Sequence, residues 1–276
     1  MRARPAKRGG HHEGECPLAI KLAAKVPRAP DGRPDLSGTW MHEITSIAEM
    51  KRLYGAVFDI DAAIKVDAPG MEIGTQHEYG FNILLDFKPG ESPLRPEGAE
   101  LLRRHMADED HAAVCAGDAG IPLAGLLSEP LKIVQAPRLT IIMYELDNLR
   151  RQIFTDGRVL PKEFEFPAYL GYSVGHWERD IFVVETAGFN DKTMLDAIGT
   201  RHSEALHITE RYHRRDFGHL DVEMTFDDRL FQSLDPLANP RHAPSDLNHV
   251  CAVCALLSGA NAHRQLLRRF EPGTGS

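Results

Sequence analysis

The chain has 276 residues, of which 42% are hydrophobic and 26% charged, and its formal net charge is −8 at pH 7. These proportions are typical of a globular protein, and the negative charge argues against a nucleic acid as partner. No apolar run approaches the roughly 18 residues that a membrane-spanning helix needs. We therefore expect neither nucleic-acid binding nor a membrane partner, and we favour one domain with additions at both ends.

The first 34 residues mix basic, Gly, His and Pro residues, a composition typical of a flexible arm. The apolar stretch Pro17–Ala24 is short and is interrupted by Lys21, which argues against a secretory signal. Four cysteines give no dense disulfide framework, so the sequence predicts a cytoplasmic protein, or a periplasmic one if the true start includes a signal. A homodimer in which this arm folds over a neighbouring chain is left open.

The folded domain is predicted to begin at Leu36–Trp40, which reads LSGTW. A Gly-x-Trp entering a first strand resembles the opening of lipocalin-type barrels, where the Trp plugs one end; a Trp that simply belongs to the core is the alternative. The helical spacing of apolar residues in Ile44–Asp61 predicts a helix, which either caps a pocket or packs against a sheet. We further predict a strand over Tyr79–Phe87 and a helix over Pro96–Ala113.

The end of that second predicted helix carries Asp108, Asp110 and His111. These side chains are either metal ligands or the charged end of an exposed helix.

Short runs of alternating apolar and polar residues, separated by tight-turn signals, fill Leu131–Phe231. This pattern is typical of antiparallel strands joined by hairpins. Arg150–Phe154 precedes a turn at Thr155–Arg158 that contains Asp-Gly, so we predict a strand pair centred on that turn. A second hairpin is predicted for Leu170–Glu178 and Ile181–Thr186, with its turn at residues 178–180.

The last predicted hairpin has one apolar and one polar face. Leu206, Ile208, Glu210 and Tyr212 share one face of its first strand, and Leu220, Val222, Met224 and Phe226 share one face of its second. With six to nine strands in all, the sequence predicts an all-β protein: an antiparallel, lipocalin-like β-barrel over residues 35–235. Residues 236–276 are predicted to form a loop and a helical tail that packs on the barrel.

The run from Pro130 to Asp228 and the opening of the domain resemble a large, mostly uncharacterised family of bacterial proteins that is abundant in soil and sphingomonad-type genomes. The resemblance covers about half of the chain, and the segments that carry it read PDLSGTW, PLKIVQ, RQIFTDGR, GYSVGHWE, HSEAL and TERYHRRDFGH. Relatives tend to have Gly, Thr and Trp where this chain has Arg179, Ile181 and Met194, and a Pro-Trp near Leu234, so we expect a different pocket shape. The resemblance implies the fold and the location of a site, and the genomes suggest the catabolism of aromatic compounds.

Motifs for nucleotide cofactors, phosphate-binding loops, nucleophilic serines and zinc proteases do not occur, so no cofactor is predicted. Acid–base groups within the β region remain. Glu185 and Glu210 each share a face with apolar residues, so each is either paired with an arginine, Arg151 or Arg211, or is a general acid or base with a raised pKa.

Histidines and tyrosines are the other candidates for acid–base chemistry. His202 lies in a polar loop and His176 lies beside Trp177, and either could transfer protons near neutral pH. The alternatives are that His202 is a solvated turn residue and that His176 is a hydrogen-bonded residue of the barrel wall. Tyr144 and Tyr172 could donate to a developing oxyanion.

These residues together predict a cofactor-independent lyase or isomerase that acts on a small hydrophobic or aromatic molecule in a barrel pocket. The predicted catalytic residues are His202, Glu185, His176, Arg151 and Tyr172, and the predicted substrate-binding residues are Tyr144, Glu145, Glu210, Arg211 and Trp177. The competing hypothesis is a non-catalytic, lipocalin-like binding protein. A third hypothesis is a zinc site of His249, Cys251, Cys254 and His263, although two thiols one helical turn apart also suit ordinary packing, and no metal is predicted.

Overall fold

The computed structural model of the protein describes residues 24–42, 47–54, 80, 82–84, 87, 92–107, 119–121, 123–126, 130–231 and 250–253. These residues contain the strands β1 Gly38–His42, β2 Leu131–Ala136, β3 Leu139–Tyr144, β4 Arg150–Phe154, β5 Tyr172–Glu178, β6 Ile181–Ala187, β7 His207–Arg214, β8 His219–Asp227 and β9 Val250–Val253. They also contain the helices α1 Ile47–Tyr54, α2 Pro96–Ala107 and α3 Leu123–Leu126, and a 3₁₀ helix at Leu146–Asn148.

Each strand from β1 to β8 pairs with the next strand of the chain, so that the sheet curls around an apolar interior. All of these pairs are antiparallel except β4 with β5. The short β9 pairs with β8 and, through two residues, with β1. The predicted all-β, barrel-like fold with few helices is confirmed at this level.

The pairing of β4 with β5 is parallel, with Ile153 opposite Ser173 and Phe154 opposite Val174. The predicted hairpin around the Asp-Gly turn is therefore wrong. Gly157 does adopt a positive φ of 87°, but the chain continues to residue 171 before β5 begins, because parallel neighbours need a connection that returns to the same end of the sheet. The Asp-Gly sequence correctly predicted a turn, but it did not predict which strand pairs with β4.

The other two hairpins are confirmed. Glu178 pairs with Ile181 across the turn between β5 and β6, and Arg214 pairs with Leu220 across the turn between β7 and β8. The predicted face of the last hairpin is also confirmed, since alternate residues of β7 and β8 are buried. Period-two alternation determines these faces because successive side chains of a strand point to opposite sides.

Two predicted elements are wrong in the described residues. Asn82–Leu84, inside the predicted strand Tyr79–Phe87, form a turn in which Asn82 Oδ1 accepts from the backbone N–H of Leu84 at 2.8 Å. An asparagine that bonds its own backbone in this way competes with strand pairing. Val250–Val253, inside the predicted helical tail, form β9, since the edges of β8 and β1 supply backbone partners.

The predicted helices are confirmed over Ile47–Tyr54 and Pro96–Ala107. Asp108, Asp110 and His111 lie outside the described residues.

Residues 24–34, the last part of the predicted arm, lie against the turns of the sheet. Arg28 forms an ion pair of 2.7 Å with Asp180 in the turn between β5 and β6. The carbonyl of Ala24 accepts a hydrogen bond of 2.8 Å from the N–H of Phe217 in the turn between β7 and β8. The beginning of the described chain is thus connected to both hairpin turns.

Trp40 of β1 is fully buried. Its indole Nε1 donates to the carbonyl of Leu36 at 2.9 Å, and the guanidinium carbon of Arg214 lies 4.8 Å from the ring centroid. A cation over an indole ring is a favourable contact, and more so when it is shielded from water. Trp40 and Arg214 therefore join β1 to β7 inside the core.

Candidate functional site

A small cavity of about 40 Å³ lies in the interior of the sheet, beside α3. A volume of this size has room for a few water molecules or a few heavy atoms of a ligand. Most of its lining is apolar: Ile121, Gly125, Leu126, Leu131, Ile133, Ile142, Leu220, Val222 and Met224. Among the described residues, the polar lining consists of Tyr144, Glu210 and Tyr212.

Glu210, one of these polar lining residues, forms a buried ion pair with Arg151. Arg151 of β4 reaches across β5 and β6, and its Nη2 donates to Thr186 Oγ1 and to Glu210 Oε2 on β7. Its Nε donates to Ser173 Oγ at 2.8 Å. Both ionic side chains are only 1% exposed. Burying two charges costs free energy that is recovered only with good hydrogen-bond geometry, and here several partners supply it.

Two phenols complete the cluster. Tyr212 donates its hydroxyl to Glu210 Oε1 at 2.7 Å. Burial raises the pKa of Tyr212 well above its usual value, and the charge of Glu210 raises it further. Burial likewise raises the pKa of Tyr144, while the positive charge of Arg151 acts in the opposite direction. Both phenols are therefore protonated at neutral pH and can donate hydrogen bonds.

The guanidinium of Arg151 stays charged. Burial by itself would lower the pKa of Arg151, but the charge and hydrogen bond of Glu210 raise it above its usual value. Within the described residues, the Nη1 group of Arg151 has no hydrogen-bond partner although it is buried. An unsatisfied buried donor costs about 1–3 kcal/mol. Arg151 is not among the residues that line the cavity.

Of the ten predicted site residues, the structure brings Arg151, Glu210 and Tyr144 together in this cluster. The pairing of Glu210 with Arg151 is one of the two alternatives left open by the sequence. Arg211 is not its partner, because Arg211 lies on the opposite face of β7 and donates to Glu178 Oε2 at 2.7 Å.

Glu185 lies on the outer side of β6, 42% exposed, with its Oε1 3.9 Å from His207 Nε2. The expectation that it is a buried carboxylate is wrong. Because side chains alternate along a strand, Glu185 shares its face with Ile181 and Val183, opposite to the buried residues Phe182, Val184 and Thr186. Val183 on that outer face is itself buried.

Four further predicted residues also lie away from the cavity. His176 is exposed, 3.4 Å from Glu178, and Glu145 is exposed before the 3₁₀ helix. The hydroxyl of Tyr172 accepts from Arg158 Nη1 at 2.9 Å. Trp177 packs against Phe182 with 5.1 Å between ring centroids. Their predicted contact with a ligand in the interior is therefore not found for this cavity.

His202 is buried rather than open to a barrel mouth, which corrects the sequence-based expectation. Its Nε2 bonds with Thr193 Oγ1 at 2.7 Å, and its Nδ1 lies 3.0 Å from the carbonyl oxygen of Ser203. Burial lowers the pKa of His202, so the ring is neutral at pH 7. Both nitrogens are occupied, which is the arrangement of a histidine that holds a loop together.

Sequence reasoning missed Tyr212, Ser173 and Thr186 as members of the cluster. Alternation from Glu210 already placed Tyr212 on the same face. Ser173 and Thr186 are opposite each other in the hairpin of β5 and β6, a register that follows from counting outward from its two-residue turn. The signals were therefore present for all three residues.

Among the described residues, no group of three or more His, Cys, Asp or Glu side chains is placed to hold a metal ion. Of the four residues in the zinc hypothesis, His249, Cys254 and His263 lie outside the described residues, and only the backbone of Cys251 is described. None of the described helices has the length and apolar character needed to cross a membrane.

No protein-family model, curated protein or solved structure matches this chain.

Proposed function

We propose that this protein is a cofactor-independent acid–base enzyme, a lyase or isomerase, that acts on a small molecule in the interior of a lipocalin-like barrel. One observation carries the proposal: a carboxylate and two protonated phenols line an otherwise apolar cavity, and the carboxylate is paired with the buried guanidinium of Arg151. Folding alone gains little from buried ionisable groups, which are concentrated at functional sites.

The lipocalin-like form of the barrel is part of the proposal. Its support is Trp40, the tryptophan of the Gly-x-Trp sequence that opens β1. Trp40 is fully buried and lies under the guanidinium of Arg214. The pairing of β9 with both β8 and β1 supports closure of the curled sheet.

The chemistry would begin with a substrate whose carbonyl oxygen accepts a hydrogen bond from the hydroxyl of Tyr144. Glu210 would take a proton from the carbon beside the carbonyl, and the electron pair of that C–H bond would move into the enolate, whose oxygen Tyr144 would stabilise. In an isomerase the proton would return to another carbon; in a lyase the enolate would expel a leaving group, to which Tyr212 would donate a proton. Apolar walls would strengthen these interactions by excluding water.

Hydrogen exchange tests this proposal without knowledge of the natural substrate. Small ketones are incubated with the protein in D₂O, and deuterium incorporation beside the carbonyl is followed by NMR. We expect the wild type to accelerate exchange, and Glu210→Gln and Tyr144→Phe to lose the acceleration. Glu185→Gln is the matched control, because Glu185 lies on the outer side of the sheet. Circular dichroism establishes that each variant is folded.

A non-catalytic binding protein is the second candidate. The observation that favours it is that both oxygens of Glu210 already accept hydrogen bonds, from Tyr212 and Arg151, so the carboxylate has structural partners without a substrate. Saturable ketone binding without accelerated exchange, in the same samples, would select this candidate over the enzyme.

A further inference from the structure

We infer that the ligand of the interior site is an uncharged molecule of only a few heavy atoms that carries a carbonyl or hydroxyl oxygen, and that Gly125 sets its size limit. This inference rests on the proposed function, in that the cavity has to bind a small molecule, and it narrows the class of that molecule to one without an aromatic ring.

The first argument is charge. Arg151 and Glu210 neutralise each other, and both phenols of the cluster are protonated. The groups that influence the ionisation of Arg151 are Glu210, Tyr212 and Tyr144, all members of the same cluster. A ligand carboxylate would therefore add an uncompensated negative charge to a dry interior, which is strongly unfavourable. An uncharged ligand avoids this cost.

The second argument is hydrogen bonding. Three N–H groups of the Arg151 side chain are used by Ser173, Thr186 and Glu210, whereas its Nη1 group is unpaired among the described residues. Arg151 does not line the cavity, whereas Tyr144 does and keeps its proton, so the Tyr144 hydroxyl can donate to a neutral carbonyl or hydroxyl oxygen there. A purely apolar ligand would offer this hydroxyl no acceptor. The site therefore selects for one oxygen acceptor on an otherwise apolar molecule.

The third argument is volume. The cavity measures about 40 Å³, whereas an engineered apolar cavity that binds benzene measures about 150 Å³. Protein interiors are close-packed and do not simply expand around a ring. A ligand with a few heavy atoms fits, and an aromatic ring does not.

Gly125 of α3 controls part of this volume. A Cβ atom at Gly125 would lie 3.5 Å from Tyr144 Cε1 and 3.6 Å from Leu131 Cδ2, which are ordinary contact distances. A methyl group is therefore tolerated sterically, but it would occupy space between two residues that line the cavity. Alanine also favours a helix over glycine by about 1 kcal/mol, so Gly125→Ala should reduce the cavity without unfolding the protein.

The test uses acetone, acetamide, acetate and acetophenone as probes, because the first three have similar size and differ in charge. Protein labelled with ¹³C at methionine methyl groups is titrated, and the resonance of Met224, which lines the cavity, is assigned with Met224→Leu. We expect acetone and acetamide to shift this resonance saturably, acetate to bind at least about tenfold more weakly, and acetophenone to cause no shift. Gly125→Ala should weaken acetone binding at least about tenfold, with an unchanged or higher melting temperature.

The outcomes separate this inference from the proposed function. If acetate binds as tightly as acetone, or if acetophenone shifts Met224, the inferred ligand class is wrong and the proposed interior binding site stands. If Gly125→Ala binds acetone as the wild type does, Gly125 does not set the size limit. If no probe moves Met224, the cavity holds water alone, and both the inference and the proposed function are refuted.

Discussion

Each carboxylate oxygen of Glu210 accepts a hydrogen bond in the interior. Arg151 supplies one of the donors from β4, and Tyr212 supplies the other from the same strand as Glu210. Removing one charge from such a pair leaves the other buried without compensation, which is more destabilising than replacing both charges by apolar groups. The contribution of this cluster to the free energy of unfolding therefore belongs to the Arg151–Glu210 pair and cannot be assigned to either residue alone.

Replacing Arg151 by Met should lower the free energy of unfolding by about 3–5 kcal/mol, since Glu210 loses its counter-charge. Combining Arg151→Met with Glu210→Leu should recover most of that loss, because Ser173 and Thr186 are 3.0 Å apart and can bond to each other. Urea unfolding of the wild type, the single variant and the double variant measures both effects. A double variant less stable than the single variant would contradict this account.

Asp196 is a second buried carboxylate, in the connection between β6 and β7, and it has no ionic partner among the interactions described for it. It accepts hydrogen bonds from the N–H and hydroxyl of Thr200 at 2.8 and 2.7 Å, and from the N–H of Ile83 at 3.0 Å. Burial raises the pKa of Asp196 to about 6, although these donors act against the increase. The side chain connects two separate loops of the chain.

This raised pKa predicts how stability depends on pH. Between the usual carboxyl pKa of 3.8 and about 6, the folded state holds a proton at Asp196 that the unfolded state has lost. The contribution of Asp196 to the free energy of unfolding is therefore largest below pH 4, and it decreases by up to about 1.4 kcal/mol per pH unit as the pH rises to 6. The decrease ends about one pH unit above that pKa, near pH 7.

Comparison with Asp196→Asn isolates this contribution, because asparagine does not titrate. The free energy of unfolding of the wild type minus that of the variant, measured by urea unfolding from pH 4 to pH 7, should fall with rising pH and then level off. A difference that is independent of pH, or that increases with pH, would show that Asp196 does not have a raised pKa.

At the scale of single elements, the turn between β5 and β6 carries an unfavourable residue. Arg179 has a φ of 57°, in the left-handed region where a side chain costs about 1–2 kcal/mol and glycine costs little. The turn forms nevertheless, because the adjoining strands pair along their whole length, from Glu178 with Ile181 to Tyr172 with Ala187. Strand pairing thus overrides the local preference.

Replacing Arg179 by glycine should raise the free energy of unfolding by about 0.5–1 kcal/mol, after allowance for the greater freedom of glycine in the unfolded chain. Thermal and urea unfolding measure this change. Arg150→Gly is the matched control: Arg150 is an exposed residue within β4, where glycine should be destabilising. Equal effects of the two substitutions would show that the φ of Arg179 is not the cause.

At the scale of the whole molecule, one side chain joins distant parts of the chain. The guanidinium of Arg214 covers Trp40, and it donates to the carbonyl oxygens of Asp35, Asp216 and Phe217. The segment before β1 is thereby attached to the turn between β7 and β8. A planar group with several donors is required for this combination, and lysine has no such group.

Arg214→Lys should therefore lower the free energy of unfolding by about 2 kcal/mol although the charge is kept. Arg215→Lys is the control, since the Arg215 side chain is half exposed and its ion pair with Asp221 at the surface contributes little. Both variants are measured by thermal unfolding at the same pH. A loss for Arg215→Lys as large as that for Arg214→Lys would contradict a specific role of the planar group.

The curled, mostly antiparallel sheet and the inner faces of β7 and β8 were predictable because they depend on local alternation. Glu210 was recognised as an unusual carboxylate for the same reason. Which arginine reached it was not predictable from alternation, since Arg151 is 59 positions earlier in the chain. The same alternation suggested a buried position for Glu185 and was misleading there, because the outer face of β6 also carries apolar residues.

Most of the strands, most of their turns and the two faces of each strand could be read from the sequence, since these follow from the period of two and from turn chemistry. The strand β9 could not, because its partners are the edges of β8 and β1. Three features became visible in the folded chain alone: β4 and β5 are parallel, His202 is enclosed by Thr193 and Ser203, and Arg151 reaches Glu210 across two strands. These features depend on contacts between residues far apart in the chain, and no local pattern specifies which of several chemically suitable partners will lie within hydrogen-bonding distance.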